Sequence, residues 1–258
     1  MSVVGKYNGV SAYNLRPNAI DTREMNGAYT PSQIVQTDLI YSYDPVSPSS
    51  FGGVGTTWSN LKTGADMTLN GGMESSYTQG GYFDLDGVND YATSSPFDLT
   101  SGDFTLGIWF RQNAFTGLQV FYGHWNISGF KGMFVYYNHN LTSLGFRLED
   151  NSGVGRVEFM DNSNYSLNTW YYAAYTWNNT TKAHNGYLYD GNGLVASVLN
   201  TRTAVDTSVA MTDVYTFAGG DNNYYFSGDL GECHTYNREL SNTEILRNLN
   251  NTKARYGY

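Results

Sequence analysis

The sequence contains one cysteine, few charged residues and no long apolar run. Because Cys233 has no second thiol to pair with, a disulfide within the chain is excluded and the fold cannot depend on an oxidising compartment. No stretch approaches the roughly 18 apolar residues of a membrane span, and residues 1–6 do not begin a signal peptide. We therefore expect a soluble chain without a membrane partner.

Charged residues make up only 14% of the 258 positions, and acids outnumber bases, so the formal net charge is −9. An average protein has about 25% charged residues. A protein that binds a phosphate backbone needs clustered Lys and Arg, and this sequence has no such cluster. We therefore expect no nucleic-acid partner.

Motifs of the common enzyme classes are also missing. Glycoside hydrolases use paired carboxylates that reach one site, whereas the nearest pairs here are Glu149 with Asp150 and Glu158 with Asp161. On a strand, residues one or three positions apart point to opposite faces. The four histidines are isolated along the chain and form no metal-binding pair. The sequence therefore predicts a protein that is not an enzyme.

Aromatic residues and glycine are abundant, with 23 Tyr, 13 Phe, 5 Trp and 29 Gly. Aromatic side chains favour strands and glycine favours turns. Apolar segments recur roughly every ten to fifteen residues with Gly, Asn and Asp between them, which is typical of a sandwich or jelly roll. One helix is predicted near the C-terminus, where Ser241 and Glu244 have the spacing of a capping box.

Residues 81–91 combine a strand, a turn and several oxygen ligands. Within 82–86, apolar residues alternate with acids, as in a strand with one buried face. The side chains of Asp86, Asn89 and Asp90 could hold Ca²⁺, but Asp and Asn are also common in turns. We favour the turn, and expect either no cofactor or a structural Ca²⁺ at these three residues.

Aromatic rings next to amides or carboxylates suggest carbohydrate contact, because sugars stack on rings and bond to neighbouring polar groups. The candidates fall into three groups in or beside loops. They are Trp125 with Asn126, then Tyr136, Tyr137 and Asn138, and finally the run 221–225 with Asp221, Asn222 and Tyr224. The alternative is that most of these rings belong to the core or to an interface, where aromatic side chains dominate packing.

Residues 1–35 differ from the rest of the chain. They contain Pro17 and Pro31 among scattered polar residues and show no sustained hydrophobic period, which indicates an arm with little core of its own. We predict that this arm contacts neighbouring chains, either in a homo-oligomer or in an assembly with other proteins. Residues 36–258 are then predicted to form a single domain.

An ordered series of segments resembles the concanavalin A-like, laminin G-like jelly-roll family. Residues 81–91 look like its strand and Asp-Tyr turn, and residues 226–245 like its closing segment with Tyr-Asn-Arg-x-Leu-Ser-x-x-Glu-Ile. Gly231 stands where the family often has Asp, which removes one oxygen that could bind a metal. The resemblance covers residues 38–257. It implies an all-β concanavalin A-like sandwich with an N-terminal arm and one short C-terminal helix.

A narrower resemblance is to the variant found in structural proteins of tailed phages, especially aquatic ones. It is carried by residues 44–61 and by the segment 244–257. This resemblance implies a non-enzymatic virion protein, a capsid decoration or fibre-type appendage at the particle surface, whose partners are other virion proteins and surface glycans. The alternative is a free Ca²⁺-dependent carbohydrate-binding lectin module, and a glycoside hydrolase is a third hypothesis.

Overall fold

The structure, a computed structural model, describes residues 34–62, 64–76, 80–96, 102–126, 131–149, 155–161, 165–201, 214–219 and 224–258. The strands in these ranges are β1 (Leu39–Tyr43), β2 (Thr57–Trp58), β3 (Met67–Asn70), β4 (Glu74–Ser76), β5 (Tyr82–Asp86), β6 (Tyr91–Pro96), β7 (Phe104–Gln112), β8 (Leu118–Asn126), β9 (Lys131–Asn138), β10 (Ser143–Glu149), β11 (Gly155–Asp161), β12 (Tyr171–Trp177), β13 (Ala183–Asp190), β14 (Gly193–Thr201), β15 (Val214–Phe217) and β16 (Ser227–Tyr236). Helix α1 spans Asn242–Thr252, and a 3-10 helix, Lys253–Tyr256, follows it. No helix within these ranges has the length and apolar character needed to cross a membrane.

The strands form two antiparallel sheets that pack face to face. Sheet A has the order β14-β13-β12-β7-β16-β5-β4, and β1 pairs with β16 as well; sheet B has the order β11-β10-β9-β8-β15-β6-β3-β2. Chain neighbours such as β5 and β6 lie in different sheets, which is the connectivity of a jelly roll. The predicted all-β sandwich with one short C-terminal helix is confirmed.

The core between the sheets is largely aromatic. On β5, Phe83 and Leu85 are buried while the alternating acids are exposed, as the period of two predicts. Trp58 packs edge-on against Phe83 and Phe217, with ring centroids 4.9 and 4.7 Å apart. Each such ring buries about 150–250 Å². At roughly 25 cal/mol per Å², each ring stabilises the sandwich by several kcal/mol.

The outer face of sheet A is covered by the C-terminal segment 240–258. Trp109 on β7 stacks on Tyr256 with ring centroids 4.4 Å apart, and its indole N–H donates to Thr252 Oγ1 at 2.8 Å. The apolar face of α1 is buried in the same cluster. The C-terminal segment therefore gives sheet A a second hydrophobic layer on the side away from the core.

Arg255 carries a buried charge beneath this C-terminal segment. Its Nη2 donates to Asp44 Oδ1 at 2.9 Å, its Nη1 donates to Glu232 Oε2, and its Nε and Nη2 donate to the carbonyl of Gly80. The side chains of the three charged residues are fully buried. Burial and the nearby Arg255 lower the pKa of His234 to about 3, so this imidazole is neutral. One guanidinium thus holds together a loop, a central strand and the C-terminal segment.

Gly231 on β16 makes room for this segment. A Cβ atom at position 231 would overlap the phenol of Tyr256. That phenol accepts a hydrogen bond from the backbone N–H of Glu232 at 2.9 Å. The departure from the family pattern at position 231 is therefore explained by packing against Tyr256.

Helix α1 begins with the predicted capping box. Ser241 Oγ accepts from the backbone N–H of Glu244, and the backbone N–H of Ser241 donates to the Glu244 carboxylate at 3.0 Å. Arg238 also donates to that carboxylate through two nitrogens, at 2.6 and 2.9 Å. These bonds lower the pKa of Glu244 to about 2 from its ordinary value of 4.5, and those from Arg238 contribute most.

We expect Glu244→Gln to lower the free energy of unfolding by roughly 1 kcal/mol near pH 6. The folded pKa of Glu244 is depressed, so its contribution is present above about pH 4.5 and disappears as the pH falls toward 2. Urea unfolding of the wild type and the variant at several pH values measures the difference. A difference that stays constant down to pH 2.5 would contradict the assignment.

Only the last two residues of the predicted arm, Ile34 and Val35, are described, and residues 1–33 lie outside the described ranges. Both are buried against the outer cluster of sheet A. The backbone N–H of Val35 donates to Asn248 Oδ1 at 2.9 Å, and its carbonyl accepts from Tyr236 Oη at 3.1 Å. Contact between the arm and neighbouring chains stays a prediction.

Candidate functional site

Three turns meet at one end of the sandwich. The strand pairing brings Asp86 at the end of β5 opposite Ser227 at the start of β16, and Asn70 at the end of β3 opposite Tyr91 at the start of β6. The β3–β4 turn, the β5–β6 turn (87–90) and residues 224–226, which lead into β16, are therefore neighbours. We call the polar and aromatic side chains that they present the tyrosine rim, which comprises Asn70, Asn89, Tyr91, Tyr224 and Tyr225.

Glycine allows these turns to approach each other closely. Gly71 and Gly87 have φ values of 86° and 74°, a region that side chains with a Cβ rarely adopt. A Cβ atom at Gly71 would also overlap the carbonyl of Asn89 and the carboxylate of Asp90. The β3–β4 turn can therefore lie directly on the β5–β6 turn.

The carboxylates of the β5–β6 turn bond to its own backbone. Asp86 Oδ1 accepts from the N–H groups of Val88 and Asn89 at 2.7 and 3.2 Å, and Asp90 Oδ2 accepts from the N–H of Asp86 at 3.0 Å. Burial raises the pKa of Asp90, and the charges of Asp86 and Asp84 add to this effect. These hydrogen bonds form the turn that sequence analysis favoured over a calcium site.

The carboxylates of Asp86 and Asp90 each use one oxygen in the turn, and calcium at these residues stays a prediction. Ca²⁺ takes about six to eight oxygen ligands, and Asp86 Oδ1 and Asp90 Oδ2 already accept from backbone N–H groups. No group of three or more His, Cys, Asp or Glu side chains in the described ranges is arranged to hold a metal ion. The structure gives Asp86, Asn89 and Asp90 a role in shaping the turn.

Two tyrosines of the rim form a half-exposed aromatic pair. The ring centroids of Tyr91 and Tyr225 are 6.0 Å apart and the rings are inclined at 36°. Both side chains are half-buried, so each keeps part of its ring open to solvent. Asn70 is half-buried and Asn89 is exposed beside them. Rings flanked by amides can stack on a sugar and bond to its hydroxyls.

Tyr224 is a sequence-predicted carbohydrate residue that the described structure places in the rim. Its half-buried ring packs against a small cluster on the outer face of sheet B that contains Val120, Phe134 and Tyr136. Its backbone carbonyl accepts from the N–H of Val120 at 3.0 Å. Asp221 and Asn222, predicted with it, lie outside the described residues.

Of the candidates on β9, the two tyrosines are buried on opposite faces of sheet B, and Asn138 is half-buried. Tyr137 is fully buried in the core and stacks on Phe115 with centroids 5.2 Å apart, and Tyr136 is only 2% exposed on the opposite face. Adjacent strand residues alternate between faces, and both faces are covered at this point, so neither ring is available for a sugar to stack on. Asn138 is half-buried, and its Oδ1 accepts from the backbone N–H of Asn140.

Trp125 and Asn126 lie at the end of β8, opposite Gly132 and Lys131 of β9. The other end of β8, at Leu118, is the end nearest the tyrosine rim. The structure therefore separates Trp125 and Asn126 from Tyr224 by the length of a strand. Among the described candidates, Tyr136 and Tyr224 therefore lie together, whereas Trp125 and Asn126 lie apart from them.

Sequence analysis did not select Tyr91 as a site residue, and it included Tyr225 only as the last residue of the run 221–225. Tyr91 ends the 81–91 stretch, where it serves as a marker of the turn, and Tyr225 follows Tyr224 directly. A tyrosine immediately after a polar turn was the available signal in both cases. What the sequence could not give is that the two rings, 134 positions apart, meet across the rim.

Comparison with known families gives one match that covers most of the sandwich. A laminin G-like family model, described as the concanavalin A-like lectin/glucanases superfamily, matches residues 86–246. The match begins at the last residue of β5 and ends within α1, so it includes β15 and β16, the strands on either side of residues 224–226. A search of curated proteins finds no significant match.

Solved binding domains of several toxins share the fold. The botulinum neurotoxin serotype G binding domain has a TM-score of 0.60 and 16% identity, and covers 82% of this chain and 50% of that chain. The serotype D ligand binding domain, solved in complex with N-acetylneuraminic acid, has a TM-score of 0.61 and 13% identity. It covers 82% of this chain and 50% of that chain. The binding domain of Paraclostridial Mosquitocidal Protein 1 has a TM-score of 0.60 and 18% identity, and covers 82% of this chain and 52% of that chain. The chain spans about half the length of these structures, and the likeness is one of fold.

Proposed function

We propose that this chain, which belongs to the concanavalin A-like lectin/glucanases superfamily, is a carbohydrate-binding protein without enzymatic activity. The fold is that of binding domains, one of which was solved with a bound sugar. Within the described part of the chain, the carboxylates nearest the rim serve its turn. The rim therefore offers tyrosine rings and asparagine amides to a sugar, whereas the carboxylates of Asp86 and Asp90 accept hydrogen bonds from the backbone of the turn.

The Tyr91–Tyr225 pair is the observation that carries this proposal. Two half-buried rings lie 6.0 Å apart, and the rim also carries Asn70, which is opposite Tyr91 in the strand pairing, and the exposed Asn89. Stacking of a pyranose on such rings and hydrogen bonds to the amides are the usual elements of a sugar site. The charged side chains of the β5–β6 turn and the residue before it, Asp90 and the exposed Asp86, are acids. A neutral sugar is therefore favoured over an anionic one.

A glycan array with the full chain tests the proposal. We expect the wild type to bind a subset of neutral glycans, and Tyr91→Ala and Tyr225→Ala each to weaken that binding by roughly three- to tenfold, the effect of removing one stacked ring. Tyr187→Ala is the matched control, because this tyrosine is also half-buried but lies on β13 in sheet A. The control should bind like the wild type.

Other results would change the proposal in specific ways. Equal binding by the wild type and both rim variants would exclude the rim as the site. Binding that is lost in EDTA would favour the Ca²⁺-dependent lectin module, with the metal at Asp86, Asn89 and Asp90. Turnover of a β-glucan by the purified chain would show that it is an enzyme.

We also propose that the chain is a structural component of a virion, displayed at the particle surface as a decoration or appendage. Support comes from the sequence segments 44–61 and 244–257, which resemble phage structural proteins, and from a compact sandwich with an arm of separate composition. We expect an antibody against the chain, detected by immunogold, to label the surface of intact virions. Labelling only of disrupted particles or of host cells would contradict this proposal.

A further inference from the structure

Asparagine directly precedes glycine at three places in the described part of the chain, at Asn70, Asn185 and Asn192. In this dipeptide the backbone nitrogen of the glycine can reach the side-chain amide of the asparagine, because glycine has no Cβ in the way and adopts many backbone conformations. Asparagine is accordingly counted among the thermolabile residues. Whether the reaction occurs in a folded protein depends on how firmly each pair is held.

The reaction is a deamidation that needs only water. The backbone nitrogen of the glycine attacks the side-chain carbonyl carbon of the asparagine, and the new C–N bond closes a succinimide ring. The side-chain nitrogen leaves as ammonia, with the proton that the backbone nitrogen gives up. Water then adds to one of the two ring carbonyls and breaks its C–N bond. The product is aspartate or isoaspartate, depending on which carbonyl the water attacks.

Asn185 is held firmly within sheet A. It lies on β13, where β12 and β14 pair with it and with Gly186 on both sides. Backbone groups of a strand that is paired on both sides open rarely. The ring of Phe146 also fills the space over Gly186. The structure therefore leaves Asn185 no freedom to close a succinimide ring.

Asn192 lies in the turn between β13 and β14, where one carboxylate holds the atoms that would react. Asp190 Oδ1 accepts from the backbone N–H of Asn192 at 2.8 Å and from that of Gly193 at 2.9 Å. The nitrogen that would attack is thereby fixed by a hydrogen bond to a charged group, which is stronger than one to a neutral group. Asn192 is exposed, but its turn opposes the reaction.

Asn70 is held less firmly than the other two. It is the last residue of β3 and is paired with Tyr91 on one side, whereas on the other side β2 is paired only with residues 67 and 68. Its side-chain N–H donates to the carbonyl of Thr68 at 3.1 Å in an exposed hydrogen bond, which water can replace. Gly71 is exposed, and no acceptor for its N–H lies among the described residues.

We infer that Asn70 is a site of spontaneous deamidation, which weakens sugar binding by the tyrosine rim as the protein ages. The inference rests on the proposed function, because Asn70 belongs to the rim and lies opposite Tyr91. An amide both donates and accepts hydrogen bonds, whereas a carboxylate only accepts them. Aspartate at position 70 therefore loses the donor that a sugar hydroxyl could use, and it adds a negative charge to the end that carries Asp86 and Asp90.

Isoaspartate would change the shape of the rim as well. Its main chain runs through the former side chain and is longer by one C–C bond, about 1.5 Å. The next residue, Gly71, lies so close to the carbonyl of Asn89 and the carboxylate of Asp90 that a Cβ would overlap both. The extra length therefore forces the β3–β4 turn away from the β5–β6 turn.

Peptide mapping of the full chain during incubation at mildly alkaline pH tests the modification. Mass spectrometry measures conversion of each asparagine, and an isoaspartate-specific methyltransferase detects the rearranged product. We expect Asn70 to convert several-fold faster than Asn192, and Asn185 to remain intact. Conversion of Asn70 that is no faster than that of Asn192 would overturn the inference.

Glycan binding by fresh and incubated protein tests the consequence. We expect incubation of the wild type, or the substitution Asn70→Asp, to weaken binding by roughly three- to tenfold, the effect of losing one hydrogen bond. Asn192→Asp is the matched control, because it adds the same charge outside the rim, and it should bind like the wild type.

Incubated Asn70→Gln should keep the affinity of fresh Asn70→Gln, because glutamine would have to close a larger ring. An equal loss in this variant would trace the effect to other damage and overturn the inference, as would incubated wild type that binds like fresh protein. If fresh wild type binds no glycan, the proposed function fails, whereas the peptide map still decides whether Asn70 is modified.

Discussion

Arg255→Met is expected to lower the free energy of unfolding by about 3–5 kcal/mol, the cost of leaving buried charges without their partner. The guanidinium of Arg255 is fully buried and donates to both Asp44 and Glu232. Its removal leaves two carboxylates in a dry environment, and methionine has no group that can bond to the carbonyl of Gly80. Urea unfolding measures the loss.

Arg247→Met is the matched control, because Arg247 is exposed on α1, and we expect a change within about 0.5 kcal/mol. Adding Glu232→Gln to Arg255→Met should restore part of the loss, since one of the two unpaired carboxylates is then neutral. An Arg255→Met protein as stable as the control would show that the buried ion pairs contribute nothing net.

Gly231→Asp is expected to destabilise the protein by at least about 3 kcal/mol, although Asp is the residue that the family often has at this position. The Cβ would overlap the phenol of Tyr256, and the carboxylate would be placed under the C-terminal segment. Tyr256 would have to leave Trp109, on which it stacks. Thermal unfolding, together with tryptophan fluorescence as a probe of that stack, measures the effect.

Gly52→Asp provides the control for this substitution. A Cβ at Gly52 meets no atom within 4 Å, so the same change of residue is expected to alter stability by less than about 0.5 kcal/mol. If Gly231→Asp were tolerated equally well, the explanation for the departure from the family pattern would be wrong.

Local features of the structure were accessible from the sequence. The alternation in 82–86 predicted the strand, and the spacing of Ser241 and Glu244 predicted the helix cap, because both depend on residues only a few positions apart. The same is true of the turn made by Asp86 and Asp90. In each case the atoms that interact are carried by neighbouring residues, so the pattern itself specifies the contact.

Features that depend on distant residues were not accessible. Arg255 reaches Asp44 across 211 positions, and nothing near either residue indicates the pairing. Tyr136 and Tyr137 were selected as one group, but whether a ring on a strand is exposed depends on what covers each face of the sheet. Such cover comes from other parts of the fold, which a local pattern does not report.

The position of β16 in sheet A has a consequence for how the chain folds during synthesis. β16 lies between β7 and β5 at the centre of the sheet, yet it is the last strand in the described part of the chain. A ribosome releases β1, β5 and β7 long before the strand that joins them, so sheet A remains in three pieces at that stage, namely β14-β13-β12-β7, β5-β4 and β1. Contacts between residues far apart in sequence also make folding slow. The sandwich can close only after residues 227–255 have been released, and the emerging β5 and β7 edges stay unpaired until then.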